Sequence, residues 1–298
     1  CGNRKYEWKF LFHEDISYMT DYEKWKDWLN QWGIKYKEEV YDSPFHKEVP
    51  GTLFHRKELY IGNATSIIFD LDGTLIDSLG MWNYVDSDAI KECGGCISSN
   101  VNIKEERDNF FKNNVSGNIY LEYEKYLINK YSLDINIDEF HKFRWEVSKR
   151  YLKNKMRFKP LAIDLLNLLK DHNYKLVLAT TSTKATIDIY MQYNKEMYTK
   201  CNFYEMFDLI LTRDDVSLKK PNPEIYLKVL NDMNVKSEDC LIFEDSLAGV
   251  QAGIGAGIDV VCVYDEYAVC EHDKIKKLIK YPICTYEEII NRFNNDLL

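Results

Sequence analysis

The chain has 298 residues, of which 45% are hydrophobic and 29% charged, a composition typical of a globular protein with about two domains. Its formal net charge of -9 argues against a general nucleic-acid or anionic-membrane binder, because either would need a basic surface. Small solutes are therefore the expected partners. No apolar run approaches the roughly 20 residues that a membrane-spanning helix needs, so no membrane span is expected.

The cysteines indicate a reducing environment. Eight are present, without the spacing of a disulfide framework, and several lie inside apolar runs such as VVCVY. We therefore expect buried thiols and a cytoplasmic protein. Cys93 and Cys96 have CxxC spacing, but no second pair completes a zinc site, which favours a structural role for both.

Residues 1–62 are predicted to form a small α+β segment of unknown role. A helix beginning at Asp21 would carry Trp25, Trp28, Leu29 and Trp32 on one face, a pattern more typical of packing than of ligand binding. We expect this face to pack within the segment and against the rest of the chain or another chain. The segment could be a regulatory module, an embellishment of the core or the end of a larger fusion, and the oligomeric state stays open.

The stretch SIIFDLDGTLIDS, residues 66–78, is predicted to be a buried strand that ends in two carboxylates. Asp70 and Asp72 would ordinarily face opposite sides of a strand, but Gly73 allows a turn that brings both to one site. One carboxylate could attack phosphorus while the other transfers the proton. Taken alone, the segment would be better explained as an Asp-Gly turn after a core strand.

The rest of the chain divides into a helical part and an alternating part. Residues 79–157 show apolar positions at helical spacing and polar breaks, which predicts an all-helical insertion. From Lys159 onward, helices alternate with short apolar strands, which predicts a doubly wound parallel sheet. Ligands of such sheets bind at the carboxyl ends of the strands.

Three further predicted strand ends carry polar side chains suited to phosphate chemistry. Thr180 follows the strand KLVLA, where a hydroxyl and helix amides could receive a phosphate. Lys220 lies in the run LKKPNP, whose prolines would hold the lysine ammonium at a fixed point. Glu244 and Asp245 follow the strand CLIF. Carboxylates that converge from two strands repel unless a cation lies between them, and oxygen-only ligands favour Mg²⁺.

Four segments in this order, IIFDLDGTLIDS, VLATTST, LKKPNPEIY and LIFEDSLAGVQAGIGAG, resemble the motifs of the haloacid dehalogenase (HAD) superfamily. The helical insertion is similar to the cap of its phosphatase and β-phosphoglucomutase branch. The resemblance implies an α/β fold with a Rossmann-like core at residues 63–78 and 158–298 and a helical cap at 79–157. The small N-terminal α+β segment lies outside the family pattern.

The resemblance also implies roles for individual residues. Asp70 would be the nucleophile that forms an aspartyl-phosphate, and Asp72 the general acid and base. The phosphate-binding candidates are Thr180, with Thr181 beside it, and Lys220. The implied Mg²⁺ ligands are Asp70, the backbone carbonyl of Asp72, and the carboxylates of Glu244 and Asp245.

The expected function is Mg²⁺-dependent hydrolysis of a small phosphomonoester, such as a sugar phosphate. A β-phosphoglucomutase-like phosphomutase would use the same two aspartates but return the phosphoryl group to a sugar. A non-catalytic binding protein is disfavoured, because all the site residues are chemically intact. Cap side chains set the specificity in such an architecture, so the sequence alone does not name the substrate.

Overall fold

The computed structural model describes residues 64–114 and 119–297, so the predicted N-terminal α+β segment lies outside the described residues. Five parallel strands form one sheet in the order β3-β2-β1-β4-β5. They are β1 Ser66–Phe69, β2 Lys175–Ala179, β3 Leu209–Leu211, β4 Cys240–Glu244 and β5 Asp259–Cys262. The predicted doubly wound parallel sheet is therefore confirmed.

The first strand occupies the centre of this sheet. All four of its residues are buried, which explains why its sequence is apolar without alternation. Phe69 pairs with Leu178 on one side and with Phe243 on the other, and the rings of Phe69 and Phe243 stack with centroids 4.9 Å apart. Because the strand order reverses direction at β1, a crevice opens at its carboxyl end, where ligands bind in sheets of this kind.

The insertion after β1 is helical, as predicted. It consists of α1 Met81–Glu92, α2 Ile103–Asn113, α3 Ile119–Lys130 and α4 Ile137–Asn154. The side chains of Asn102 and Asn136 cap α2 and α4 by accepting backbone N–H groups of their first turns. We refer to these four helices as the cap.

A buried ion cluster joins the four cap helices, with one residue from each. Asp86 of α1 is completely buried and accepts hydrogen bonds from Arg107 and Arg144, both at 2.7 Å. Arg144 also lies 3.2 Å from Glu124 of α3. Unpaired, any of these buried charges would be costly, so the cluster favours one arrangement of the helices.

Two linkers connect the cap to the sheet, and they pair with each other. Ile76 and Phe158 form an antiparallel bridge, the amide of Asp77 donates to the carbonyl of Arg157, and the amide of Lys159 donates to the carbonyl of Leu75. The cap is therefore attached through a short two-stranded ribbon beside the end of β1.

The remaining helices flank the sheet. They are α5 Ala162–Asp171, α6 Lys184–Tyr193, α7 Lys195–Lys200, α8 Phe203–Met206, α9 Glu224–Met233, α10 Leu247–Gly255, α11 His272–Ile275 and α12 Tyr286–Leu297. The sequence pattern did not predict α7 or α8. Both begin at asparagine caps, Asn194 and Asn202, and Asn194 also donates to the carbonyls of Leu152 and Met156 in the cap region. This tertiary contact ties the start of α7 to the end of the cap region.

The C-terminal region differs from its prediction in one respect. Where the pattern of alternating helices and strands predicts a further helix, near residues 271–280, the structure has a 3₁₀ turn at Val269–Glu271 followed by α11, which ends at Ile275. The chain then returns to the edge of the sheet, where the amide of Cys284 donates to the carbonyl of Cys262 and Val263 pairs with Cys284. Within the residues that the structure describes, no helix is both long enough and apolar enough to cross a membrane.

Candidate active site

The predicted site residues meet at the carboxyl ends of β1, β2 and β4. Asp70 follows β1, Thr180 follows β2, and Glu244 and Asp245 end or follow β4. All four are buried, with Asp70 the most exposed at 6%. Because the three strands are parallel neighbours, their ends bring residues that lie far apart in sequence to one place.

Lys220 lies at the centre of the charged groups. Its Nζ donates to Asp70 Oδ1 at 2.6 Å, to Glu244 Oε1 at 2.7 Å and to the carbonyl of Ala179 at 3.0 Å. Its side chain is 4% exposed, so the ammonium is almost fully removed from water. Three acceptors for three N–H donors make this an oriented cation and not a mobile surface lysine.

The Glu244 carboxylate is held through both oxygens. Its Oε2 accepts from the backbone amides of Asp245 and Ser246 at 2.9 and 3.0 Å and from Ser246 Oγ at 3.0 Å. Its Oε1 accepts from Lys220 and, at 3.3 Å, from the Tyr226 hydroxyl. A Cβ on Gly249 in α10 would lie 1.7 Å from this oxygen, so only glycine fits there.

Asp245 lies against the loop that follows β1. Its Oδ1 accepts from the Thr74 hydroxyl at 2.7 Å, and a Cβ on Gly73 would lie 2.3 Å from its Oδ2. Gly73 also has a φ of +85°, so glycine is required there for both conformation and space. The Tyr286 hydroxyl donates to the carbonyl of Thr74 at 3.0 Å and supports this loop from α12.

Asp72 lies beside the charged group and is held by two hydroxyls. Ser78 Oγ donates to Asp72 Oδ1 at 2.7 Å, and Ser182 Oγ donates to Asp72 Oδ2 at 2.6 Å. The amide of Ser182 in turn donates to Thr180 Oγ1 at 3.0 Å. Sequence reasoning missed both serines, although the hydroxyl run that follows β2 signalled the position of Ser182.

The neighbouring threonines differ in their environment. Thr180 is completely buried at the end of β2, whereas Thr181 is exposed. The predicted position of Thr180 in the cluster agrees with this geometry.

A family model described as haloacid dehalogenase-like hydrolase matches residues 67–263. The chain belongs to the haloacid dehalogenase-like hydrolases. The match includes every predicted site residue, and the resemblance inferred from the four motifs is confirmed. This chain is therefore an enzyme of a hydrolase family.

Relatives of this HAD hydrolase carry phosphatase names. This chain is 28% identical over 200 residues to a bifunctional riboflavin kinase/FMN phosphatase of Arabidopsis thaliana, a match that covers 67% of this chain and 48% of the relative. It is 27% identical over 194 residues to a phosphorylated carbohydrates phosphatase of Thermotoga maritima, covering 65% of this chain and 82% of the relative. The chain thus spans about half of the first relative and most of the second.

A solved structure has the same fold as this HAD hydrolase. It is a Thermotoga maritima protein provisionally assigned as a β-phosphoglucomutase, with a TM-score of 0.62 and 24% identity. The similarity covers 77% of this chain and 98% of that one. At this identity the likeness establishes the fold alone.

Burial and the closeness of several charged groups shift the pKa values of the site residues. Burial, reinforced by the nearby Glu244 carboxylate and opposed by Lys220, raises the pKa of Asp70 to about 7. Burial and the carboxylates of Glu244 and Asp70 also raise the pKa of Asp245 well above its ordinary range. The ammonium of Lys220 remains charged, because Asp70 and Glu244 outweigh its burial and raise its pKa. One lysine thus faces three carboxylates in a poorly solvated site.

The residues fit a divalent cation. Asp70, Glu244 and Asp245 each offer a carboxylate oxygen, and these oxygens all lie within 4.8 Å of one another. In the described ranges, this is the one group of three or more potential ligands so close together. An all-oxygen, buried set with excess negative charge suits Mg²⁺, which HAD enzymes generally use. The side chain of Asp72 is not part of this group, and the contribution of its backbone carbonyl stays a prediction.

The CxxC pair has no comparable site. Cys93 is half-buried, Cys96 is exposed, and both are free thiols that belong to no cluster of potential metal ligands in the described part of the chain.

Proposed function

We propose that this protein is a phosphatase that hydrolyses a small phosphomonoester through an aspartyl-phosphate on Asp70. The observation that carries the proposal is the contact of the buried Asp70 carboxylate with Lys220, beside Glu244 and Asp245 and next to Asp72. A carboxylate nucleophile, a fixed cation for phosphoryl oxygens and a separate carboxylate for proton transfer are the parts that this chemistry needs.

In the first half of the reaction, a carboxylate oxygen of Asp70 would attack phosphorus, and the bond from phosphorus to the ester oxygen would break. Asp72, protonated for this step, would give its proton to the departing alcohol oxygen. Lys220 would hold the charge on the phosphoryl oxygens, and the Thr180 hydroxyl and neighbouring amides would orient them.

In the second half, water would attack the phosphorus of the aspartyl-phosphate, and Asp72 would take its proton. The bond between phosphorus and Asp70 would break, releasing inorganic phosphate and restoring the Asp70 carboxylate and the protonated Asp72 that begins the next turnover. Ser78 and Ser182, which donate to the two oxygens of Asp72, would keep that carboxylate aimed at the site between the two proton transfers.

The Mg²⁺ that we assign to Asp70, Glu244, Asp245 and the Asp72 carbonyl would neutralise the excess negative charge and draw the phosphate dianion toward Asp70. The cap, residues 79–157, would close over the substrate through the paired linkers at Ile76 and Phe158. The expected substrates are small phosphorylated metabolites, and the phosphatase names of the relatives make sugar phosphates and FMN the first to test. A cytoplasmic location belongs to the same proposal.

The test is release of inorganic phosphate from p-nitrophenyl phosphate, from a panel of sugar phosphates and from FMN, with Mg²⁺ and with excess chelator. We expect Mg²⁺-dependent release that Asp70→Asn lowers by several orders of magnitude. Full activity in chelator would contradict the metal assignment. Activity of Asp70→Asn within about tenfold of the unsubstituted enzyme would contradict the nucleophile.

The same panel separates a phosphatase from a phosphomutase. A phosphatase releases phosphate in step with the loss of sugar phosphate, whereas a mutase converts the substrate to a phosphorylated isomer. ³¹P NMR of the reaction mixture distinguishes these products directly. An isomer that accumulates faster than free phosphate would replace the proposed function by the mutase.

A further inference from the structure

A buried tyrosine lies directly behind the charged pair at the centre of the site. Tyr226 is in the first turn of α9 and is completely buried. Its ring packs in the core under the sheet, with Ile225, Val229 and Ile242 in the same hydrophobic cluster. A phenyl ring alone would fill this volume, and a buried hydroxyl is costly unless it finds a hydrogen-bond partner.

The Tyr226 hydroxyl has such a partner in the site itself. It donates to Glu244 Oε1 at 3.3 Å, the oxygen that also accepts from Lys220. The other oxygen of Glu244 already accepts from two backbone amides and from the Ser246 hydroxyl. Tyr226 is therefore the side-chain donor that shares Oε1 with the lysine.

The Tyr226 ring also supports Lys220. The ammonium lies 4.9 Å from the ring centroid, within the range of a cation–π contact. The other directions around Nζ are taken by Asp70, Glu244 and the carbonyl of Ala179. The ring thus adds a contact to the ammonium beyond its three hydrogen-bond acceptors.

We propose that Tyr226 is a positioning residue that holds the side chains of Lys220 and Glu244 in their relative positions while Lys220 binds phosphoryl oxygens. This inference rests on the proposed function. To contact a phosphoryl oxygen, Lys220 must weaken at least one of its three present hydrogen bonds. The ring then still fixes the ammonium, and the hydroxyl still satisfies Glu244 Oε1, so the pair does not need to rearrange when the substrate arrives.

The two parts of the tyrosine can be removed separately. Tyr226→Phe keeps the ring under Lys220 and removes the hydrogen bond to Glu244, and Tyr226→Leu removes both. The matched control is Tyr123→Phe in the cap, because Tyr123 is also buried but its hydroxyl has no hydrogen-bond partner among the described residues. For each variant the readouts are binding of inorganic phosphate by calorimetry with Mg²⁺, kcat and KM for p-nitrophenyl phosphate, and unfolding in urea.

We expect Tyr226→Phe to lower kcat/KM about five- to tenfold, since a hydrogen bond to a charged group is lost but is long in this structure. Tyr226→Leu should lower it by about a further tenfold, because the cation–π contact is lost as well. Phosphate should bind more weakly in the same order, and Phe should restore part of what Leu removes. Tyr123→Phe should stay within twofold of the unsubstituted enzyme.

The outcomes separate this inference from the proposed function. If the unsubstituted enzyme neither binds phosphate nor hydrolyses any ester, both fail together. If it is active but Tyr226→Phe and Tyr226→Leu match it within twofold in phosphate affinity and kcat/KM, only the positioning role is overturned. A loss of activity that merely follows the unfolded fraction in urea, with unchanged phosphate affinity of the folded molecules, would also overturn it.

Discussion

Replacing Asp70 by Asn should stabilise the protein in the presence of a chelator, although it should abolish hydrolysis. The side chain keeps its size, and an amide oxygen can still accept from Lys220. What disappears is one of three carboxylate charges whose oxygens lie within 4.8 Å of one another. At that separation, and at an effective dielectric constant of about 20, each pair repels by roughly 3 kcal/mol.

The size of the effect follows from the pKa of Asp70, which burial raises from 3.8 to about 7. At a pH between these two pKa values, Asp70 keeps its proton in the folded state but has lost it in the unfolded state. The free energy of unfolding therefore falls as the pH rises from about 4 to about 7. At 1.36 kcal/mol per pH unit, the full penalty is roughly 4 kcal/mol above pH 7. Because this penalty already includes the attraction between Asp70 and Lys220, we expect a net gain of up to roughly 4 kcal/mol at pH 8 and little gain near pH 4.

The assay is urea unfolding at pH 4, 6 and 8, with chelator and with excess Mg²⁺. In chelator the stability difference between Asp70→Asn and the unsubstituted protein should grow with pH. With Mg²⁺ the difference should shrink or reverse, since the ion binds the folded unsubstituted protein more tightly. Asp77→Asn, an exposed carboxylate in the same loop, serves as the control and should change the stability by no more than about 0.5 kcal/mol at any pH.

Two results would refute this reasoning. Asp70→Asn could be less stable than the unsubstituted protein in chelator at pH 8, which would mean that the contact of Asp70 with Lys220 outweighs burial and repulsion. Alternatively, the difference could be independent of pH, which would mean that the ionisation of Asp70 does not differ between the folded and unfolded states.

Four further substitutions test three individual features. Gly249→Ala would place a Cβ 1.7 Å from Glu244 Oε1, so we expect the rate at a fixed substrate concentration to fall at least a hundredfold. A rate within tenfold of that of the unsubstituted enzyme would contradict this packing. Thr180→Val should raise KM or lower kcat by about tenfold or more, because a buried hydroxyl is lost. The control, Thr181→Val, should change neither constant by more than about twofold. Similar losses in both variants would contradict the assignment of Thr180. Leu161 has a φ of 63°, so Leu161→Gly should raise the free energy of unfolding, measured in urea, by up to about 1 kcal/mol. A clear loss of stability would show that the Leu161 side chain, or the stiffer unfolded chain it gives, contributes more than its conformation costs.

The sequence pattern located the strands of the sheet because buried parallel strands are short, apolar runs that need no distant information. For the same reason it placed Asp70, Thr180, Glu244 and Asp245 at strand ends. The strand boundaries follow from local composition, and parallel neighbours necessarily present their carboxyl ends on the same side. It did not predict α7 and α8, because helices of six and four residues are too short to show an apolar repeat at helical spacing.

Contacts across the fold decided how the site residues are held. Asp70 and Lys220 are 150 residues apart in sequence, and Asp72 and Ser182 are 110 apart. Serine and tyrosine are common on surfaces and in cores, so their residue types alone do not mark Ser182 or Tyr226 as contacts of charged groups. Their roles depend on hydrogen-bond distances that exist only after the sheet and its helices have assembled.

The sequence by itself determined which chemical groups are present and at which strand ends, because those features repeat a local pattern of apolar run, carboxylate and glycine. Only the tertiary structure decided that one lysine contacts two carboxylates, that two serines hold Asp72, and that a tyrosine lies behind the lysine. Hydrogen bonds and ion pairs fall off within a few ångströms, and no pattern along the chain specifies distances of that precision between segments so far apart.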